Sequence, residues 1–100
     1  MPYEVIWSDR ADWHLDGIFE DLKKEFGQET ASRFIQKVFI RADKLENHPD
    51  WIGSPIKYIE DSGYLQYAVG DYRIIFKVNG RRVEIYAVLH SRSLLSEIIK

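Results

Sequence analysis

Residues 72–90, YRIIFKVNGRRVEIYAVLH, place two runs of β-branched and aromatic residues on either side of Asn79-Gly80. Asn-Gly suits the positive φ angles of a tight hairpin turn and the flanking runs have strand length, so the segment predicts a β-hairpin. A period of two sorts it into faces. Tyr72, Ile74, Phe76 and Val78 fall with Val83, Ile85, Ala87 and Leu89 on one side, a continuous apolar surface that another layer has to cover. Arg73, Ile75 and Lys77 fall with Glu84, Tyr86, Val88 and His90 on the other, a mixed face suited to water or a ligand. The turn then sets how far Arg73 stands from His90. With Asn79-Gly80 alone as the loop they are about 13 Å apart, at roughly 3.4 Å per residue. With Arg81 and Arg82 added to the loop they become diagonal neighbours at about 7–8 Å, close enough to reach one phosphate.

The covering layer is legible upstream. YEVIWS, residues 3–8, alternates and is rich in strand-forming residues, so it predicts a first strand. Ser8 can cap a following helix whose first turn carries Asp9 and Asp12, as the helix dipole favours. Ala11, Leu15, Ile18, Leu22 and Phe26 recur at helical spacing on one stripe, with Phe19 at its edge, and Gly27 is the natural stop. A second helix is expected from about Glu29 to Asn47, with Ala31, Phe34, Ile35, Val38, Ala42 and Leu45 on its apolar side and Phe39 flanking, until His48-Pro49 ends it. So short a connection predicts an antiparallel helical hairpin. Residues 49–63, rich in Pro, Gly, Asp and Ser, predict a loop in which Trp51 plugs an edge of the core, and a further strand near 64–69 leads into the final hairpin. The expected fold is α+β, one domain over residues 1–100. An N-terminal strand and an antiparallel helical hairpin pack on one face of a largely antiparallel four-stranded sheet, in the order β-α-α-β-β-β.

Trp13 and Ile40 break the helical pattern. At about 100° per residue each points nearly opposite its own helix's apolar stripe, and in an antiparallel hairpin the two stand level within about one turn. Single exposed apolar residues are common, but a Trp and an Ile side by side are candidates for contact with a partner's helix.

Composition narrows the function classes. There is no cysteine, so neither a disulfide framework nor a thiolate zinc site exists, and His14 and His48 have no companion at metal-ligand spacing. No apolar stretch approaches the roughly 18 residues of a membrane span, and the N-terminus lacks the charged and apolar regions of a signal peptide, so the expectation is a soluble, unprocessed cytoplasmic protein. Fourteen Lys and Arg against sixteen Asp and Glu leave a formal charge of -2. The resulting pI near 5.9 is unlike a dedicated nucleic-acid binder, whose domain pI is above about 9. The charges are unevenly spread: residues 9–28 hold six acids against Arg10, Lys23 and Lys24, while residues 71–92 hold five bases against Asp71 and Glu84.

GDYRIIFKV followed after a turn by VEIYAVLHSR resembles the closing hairpin of the RelE/ParE superfamily of bacterial toxins, the plasmid-stabilisation type. YEVIWSDRA and the Leu15, Ile18, Phe19 stripe resemble that family's opening strand and first helix, Phe26-Gly27 its helical turn, and Leu45, Pro49 and Gly53 its "L...P...G" connection. The resemblance covers essentially the whole chain. It implies the toxin of a type II toxin-antitoxin module, neutralised by a small antitoxin and needing no cofactor or metal, with operator DNA reached only through the antitoxin. A ParE-like member would inhibit DNA gyrase by protein-protein contact. A RelE-like member would be a metal-independent endoribonuclease cutting messenger RNA on the ribosome. A third possibility is an inactive relative that only binds its antitoxin and helps repress its operon.

These readings assign different residues. Cleavage needs cations beside the scissile phosphate and an acid/base pair at the ribose hydroxyl and leaving oxygen. The resemblance gives that work to Arg73 of the "YR" motif, to His90 and to Arg92. The ordinary reading of each is plainer: a strand arginine solvated over its apolar stem, a structural histidine, an exposed arginine beyond the sheet. The basic cluster before the hairpin is reduced to Lys57, and SLLSEIIK has no tyrosine, both departures from the ribonucleolytic relatives. Gln66 stands where ParE-like chains often carry arginine. The ParE-like branch is favoured, with Arg92, Leu95, Ile98 and Ile99 contacting the target and Trp13 and Ile40 the antitoxin.

Overall fold

Ser8 ends the first strand and starts the helical layer. In the computed structural model, which describes residues 2–93, its hydroxyl accepts from the Ala11 N–H at 3.0 Å and donates to the Tyr86 carbonyl at 2.9 Å. One side chain thus caps a helix and ties it to the last strand. Strand β1 is Glu4–Trp7, helix α1 is Asp9–Phe26 and helix α2 is Gln28–Asp43. Gly27 alone separates the helices, at φ +94°, a conformation that costs glycine least. The second helix is shorter than its sequence pattern suggests, because Lys44–Glu46 tightens into a 3₁₀ turn.

The connection holds more structure than a loop. Pro49–Ile52 forms a single helical turn, α3, and Ser54–Pro55 forms a two-residue edge strand, β2. Leu45 and Pro49 are fully buried, and Gly53 lies directly on the Phe76 ring, where a β-carbon would come within 3.0 Å of Cε1 and closer still to Cζ. The Leu, Pro, Gly spacing is therefore a packing device. Trp51 does not plug the core. It is 84% exposed, standing edge-on to His48 at 5.6 Å between ring centres, because the helical turn that buries Pro49 points the tryptophan outward.

Strands β3 (Leu65–Val69), β4 (Tyr72–Asn79) and β5 (Arg82–His90) complete a five-stranded sheet of order β1-β5-β4-β3-β2. β1 runs parallel to β5 and every other pairing is antiparallel. The expected α+β order stands, with β2 as an added edge. The helical hairpin packs on one face, where Ala11, Leu15, Ile18, Val38, Ala42 and Leu45 meet Ile74, Phe76, Val83 and Ile85. Phe26 is 59% exposed, beyond the end of that core. Among the described residues no helix is long and apolar enough to cross a membrane.

The final hairpin departs from simple alternation. Asn79 pairs with Arg82, Phe76 with Ile85, but Ile75 pairs with Ala87. Tyr86 is the additional residue of a β-bulge, and everything after it changes face. Val88 joins the helix-side core, while Ala87 and Leu89 form a second cluster with Ile75 and Ile56 on the opposite face. That face is not left open, since Ile56 and Ile59 from the preceding connection pack onto it.

Candidate functional site: a groove between the first helix and the last strand

The bulge separates the two residues that simple alternation brings together. Arg73 pairs with Leu89 on the face away from the helices, whereas His90 pairs with Tyr72 and turns toward them. The shared Arg73–His90 surface is therefore corrected: a sheet lies between guanidinium and imidazole. Arg73 folds back on the β3–β4 turn, its Nη1 donating to the carbonyls of Tyr72 at 3.0 Å and Gly70 at 3.3 Å. Next to the last strand, the Arg92 N–H donates to His90 Nδ1 at 3.1 Å, and Ser93 Oγ donates to the His90 carbonyl. Arg92 is exposed. Leu95, Ile98 and Ile99 lie outside the described residues.

His90 instead belongs to a groove of about 450 Å³ between α1 and β5, lined by Trp13, His14, Gly17, Ile18, Tyr72 and Val88, with Asp16, Glu20 and Asp21 along the helix. The groove exists because the β1 ladder stops at Trp7 opposite Ile85. Beyond that point the outer edge of β5 has no strand beside it, and side chains from α1 and its cap satisfy the backbone there: Ser8 donates to the Tyr86 carbonyl and His14 Nδ1 accepts from the Val88 N–H at 3.3 Å. An imidazole accepting at Nδ1 is neutral at that nitrogen and carries its proton on Nε2. Tyr72 forms the far wall, edge-on to His90 at 5.3 Å and tilted against Phe34. Burial, and then the carboxylates of Asp21, Asp71 and Glu25, push its phenol above the ordinary range, so it stays neutral.

Trp13 is 73% and Ile40 61% exposed, as their positions opposite the apolar stripes require. Trp13 stands over the α1–β5 groove, while a smaller cleft between the helices is lined by Leu15, Phe19, Ile35 and Phe39; Ile40 lines neither. His14 and Tyr72 are groove residues that sequence reasoning passed over. Their signal was faint: a lone histidine on a helix and a tyrosine counted as core.

Lys77 and Tyr86, which period two places together on the mixed face, belong to a row of rings and cations. Arg10 lies over the Tyr86 ring at 5.1 Å, Tyr86 meets Tyr64 at 5.3 Å, and Lys77 lies over Tyr64 at 4.3 Å. Among the described residues neither surface brings Arg73 and His90 together, and the α1–β5 groove has apolar and aromatic walls with carboxylates along its helical side.

A family profile described as ParE toxin of type II toxin-antitoxin system, parDE, matches residues 5–95. The chain belongs to that family. Its fold is similar to that of the chromosomal ParDE toxin-antitoxin system from P. aeruginosa, with a TM-score of 0.79 and 19% identity over 88% of this chain and 95% of that one. The RelBE2 toxin-antitoxin complex from Mycobacterium tuberculosis is similar at a TM-score of 0.61, with 20% identity over 90% of this chain and 99% of that one. The E. coli DinJ-YafQ toxin-antitoxin complex follows at 0.52, with 13% identity over 94% and 98%. At these identities the likeness is one of fold. No curated protein matches the chain. For this ParE-family toxin the likeness spans nearly the whole fold.

Proposed function

We propose that this ParE-family toxin acts in the cytoplasm by protein-protein contact with DNA gyrase and is neutralised by a cognate antitoxin. The placement of Arg73 and His90 on opposite faces of the sheet carries the choice of contact over cleavage: a guanidinium engaged by backbone carbonyls and a histidine facing the helices do not form one catalytic set. Arg92, with Leu95, Ile98 and Ile99, is the proposed target contact. Trp13 and Ile40 are the proposed antitoxin contacts, on the strength of their exposure. The RelE-like reading, with Arg73, His90 and Arg92 as catalytic residues, keeps one supporting observation, since aromatic rings interleaved with cations at Arg10, Tyr86, Tyr64 and Lys77 suit stacking against a single strand.

Induction in a host strain, paired with a DNA supercoiling assay, separates the readings. A chain truncated after Arg92 is expected to lose growth arrest and gyrase inhibition while keeping its cooperative melt. The Arg73→Ala/His90→Ala double variant is expected to keep both activities. If instead that double variant loses toxicity by orders of magnitude and wild type cleaves messenger RNA, contact with gyrase is the wrong mechanism.

A further inference from the structure

We propose that the α1–β5 groove seats a segment of the antitoxin that carries lysine or arginine beside its apolar residues. The inference rests on the toxin reading above and adds the chemistry of the segment. The groove's size lies in the range of ligand-holding clefts, with Ile18, Tyr72 and Val88 supplying apolar lining and exposed Trp13 standing over it. A tryptophan of this kind is the commonest anchor of a binding hot spot.

Gly17 points the same way from an independent direction. It sits in the interior of an 18-residue helix, where glycine is disfavoured, and a β-carbon built on it meets nothing within 4 Å. The fold has no use for the missing side chain. What its absence provides is a flat wall beside Trp13 along which another chain can approach closely.

Charge then selects the occupant. Asp16, Glu20 and Asp21 stand along the same wall, and the ion pairs among the described residues, Arg33 with Glu29 and Arg82 with Glu84, involve none of them. Glu25 and Asp71 add to the negative field felt by Tyr72. An acidic segment would be repelled from this rim and a cationic one drawn to it.

The test uses the full chain and, as probe, the short protein encoded beside its gene. Gly17→Met fills the groove without altering charge. Asp16→Asn/Glu20→Gln/Asp21→Asn removes charge without altering shape, and Glu60→Gln/Asp61→Asn serves as a charge control on the 3₁₀ turn at Glu60–Ser62. Thermal melts confirm folding, and Gly17→Met is expected to melt no lower than wild type, since helix-interior glycine is itself costly. Both groove variants are expected to weaken Kd by about tenfold or more, with the control within about twofold, and the charge variant should flatten the salt dependence of binding. Unchanged affinity in Gly17→Met, or tighter binding by the charge variant, would overturn the proposal while leaving the toxin reading intact. The same holds if deleting residues 94–100, or diluting the chain alone, shifts the groove amides, since the occupant is then the chain's own tail or a second copy. Should the neighbouring protein fail to bind wild type at all, the antitoxin reading falls and this inference with it.

Discussion

Phe76→Ala is expected to destabilise the fold by about 3–5 kcal/mol and to lower Tm by more than about 10 °C, as chemical and thermal unfolding would read. Phe76 is fully buried between the helical hairpin and the connection, with its ring against Gly53. Truncation removes a large apolar surface from a close-packed site and leaves a cavity that the sheet backbone is too rigid to collapse. The same contact predicts a reciprocal effect. Gly53→Ala alone is expected to cost about 1–3 kcal/mol, because its methyl group overlaps the Phe76 ring and lies 3.2 Å from the Leu65 β-carbon. Gly53 has φ −80°, a value any residue adopts, so steric overlap and not backbone strain is responsible. In the Phe76→Ala background the added methyl has room, and Gly53→Ala should cost less than about 0.5 kcal/mol. Additive costs in that double-mutant cycle would show that the ring is not what excludes a β-carbon at position 53.

The second large effect concerns Ser8, whose hydroxyl serves α1 and β5 at once. Ser8→Ala is expected to cost about 2 kcal/mol, the sum of a lost helix cap and a lost hydrogen bond to a partly buried carbonyl. The replacement series distinguishes the two roles. Ser8→Thr retains an acceptor for Ala11 and a donor for Tyr86 and should remain close to wild type. Ser8→Asp restores the cap, but its carboxylate has no proton for the Tyr86 carbonyl 2.9 Å away and meets it oxygen to oxygen. Unfolding titrations should therefore place Ser8→Asp no higher than Ser8→Ala. Recovery to wild-type stability in Ser8→Asp would mean that capping is the whole contribution and that the tie to β5 carries none.

How much of this was legible beforehand depends on where one residue type could signal one environment. The Ala11, Leu15, Ile18 stripe, the Ser8 cap and the break at Gly27 are local signals, and each element they mark is present. The hairpin is present too, but its turn falls one residue later than Asn79-Gly80 suggests, at Gly80-Arg81, because Asn79 still pairs with Arg82. Exposure of Trp13 and Ile40 follows from the same helical period. Residues 49–63 were less readable, because a four-residue helical turn and a two-residue edge strand are too short to show any period.

Sequence by itself determined the order of elements, the caps and turns that punctuate them, and the amphipathic helices that cover the sheet, since these depend on neighbours within about one turn or one pleat. Only the tertiary structure decided which face each residue after Ile85 occupies. Residues 85–89, Ile-Tyr-Ala-Val-Leu, are apolar without interruption, so no polar residue marked where alternation slips, and packing on both faces of the sheet settled the bulge at Tyr86. That slip sends Arg73 and His90 apart, brings His90 to Tyr72 and Val88, and creates the groove against α1.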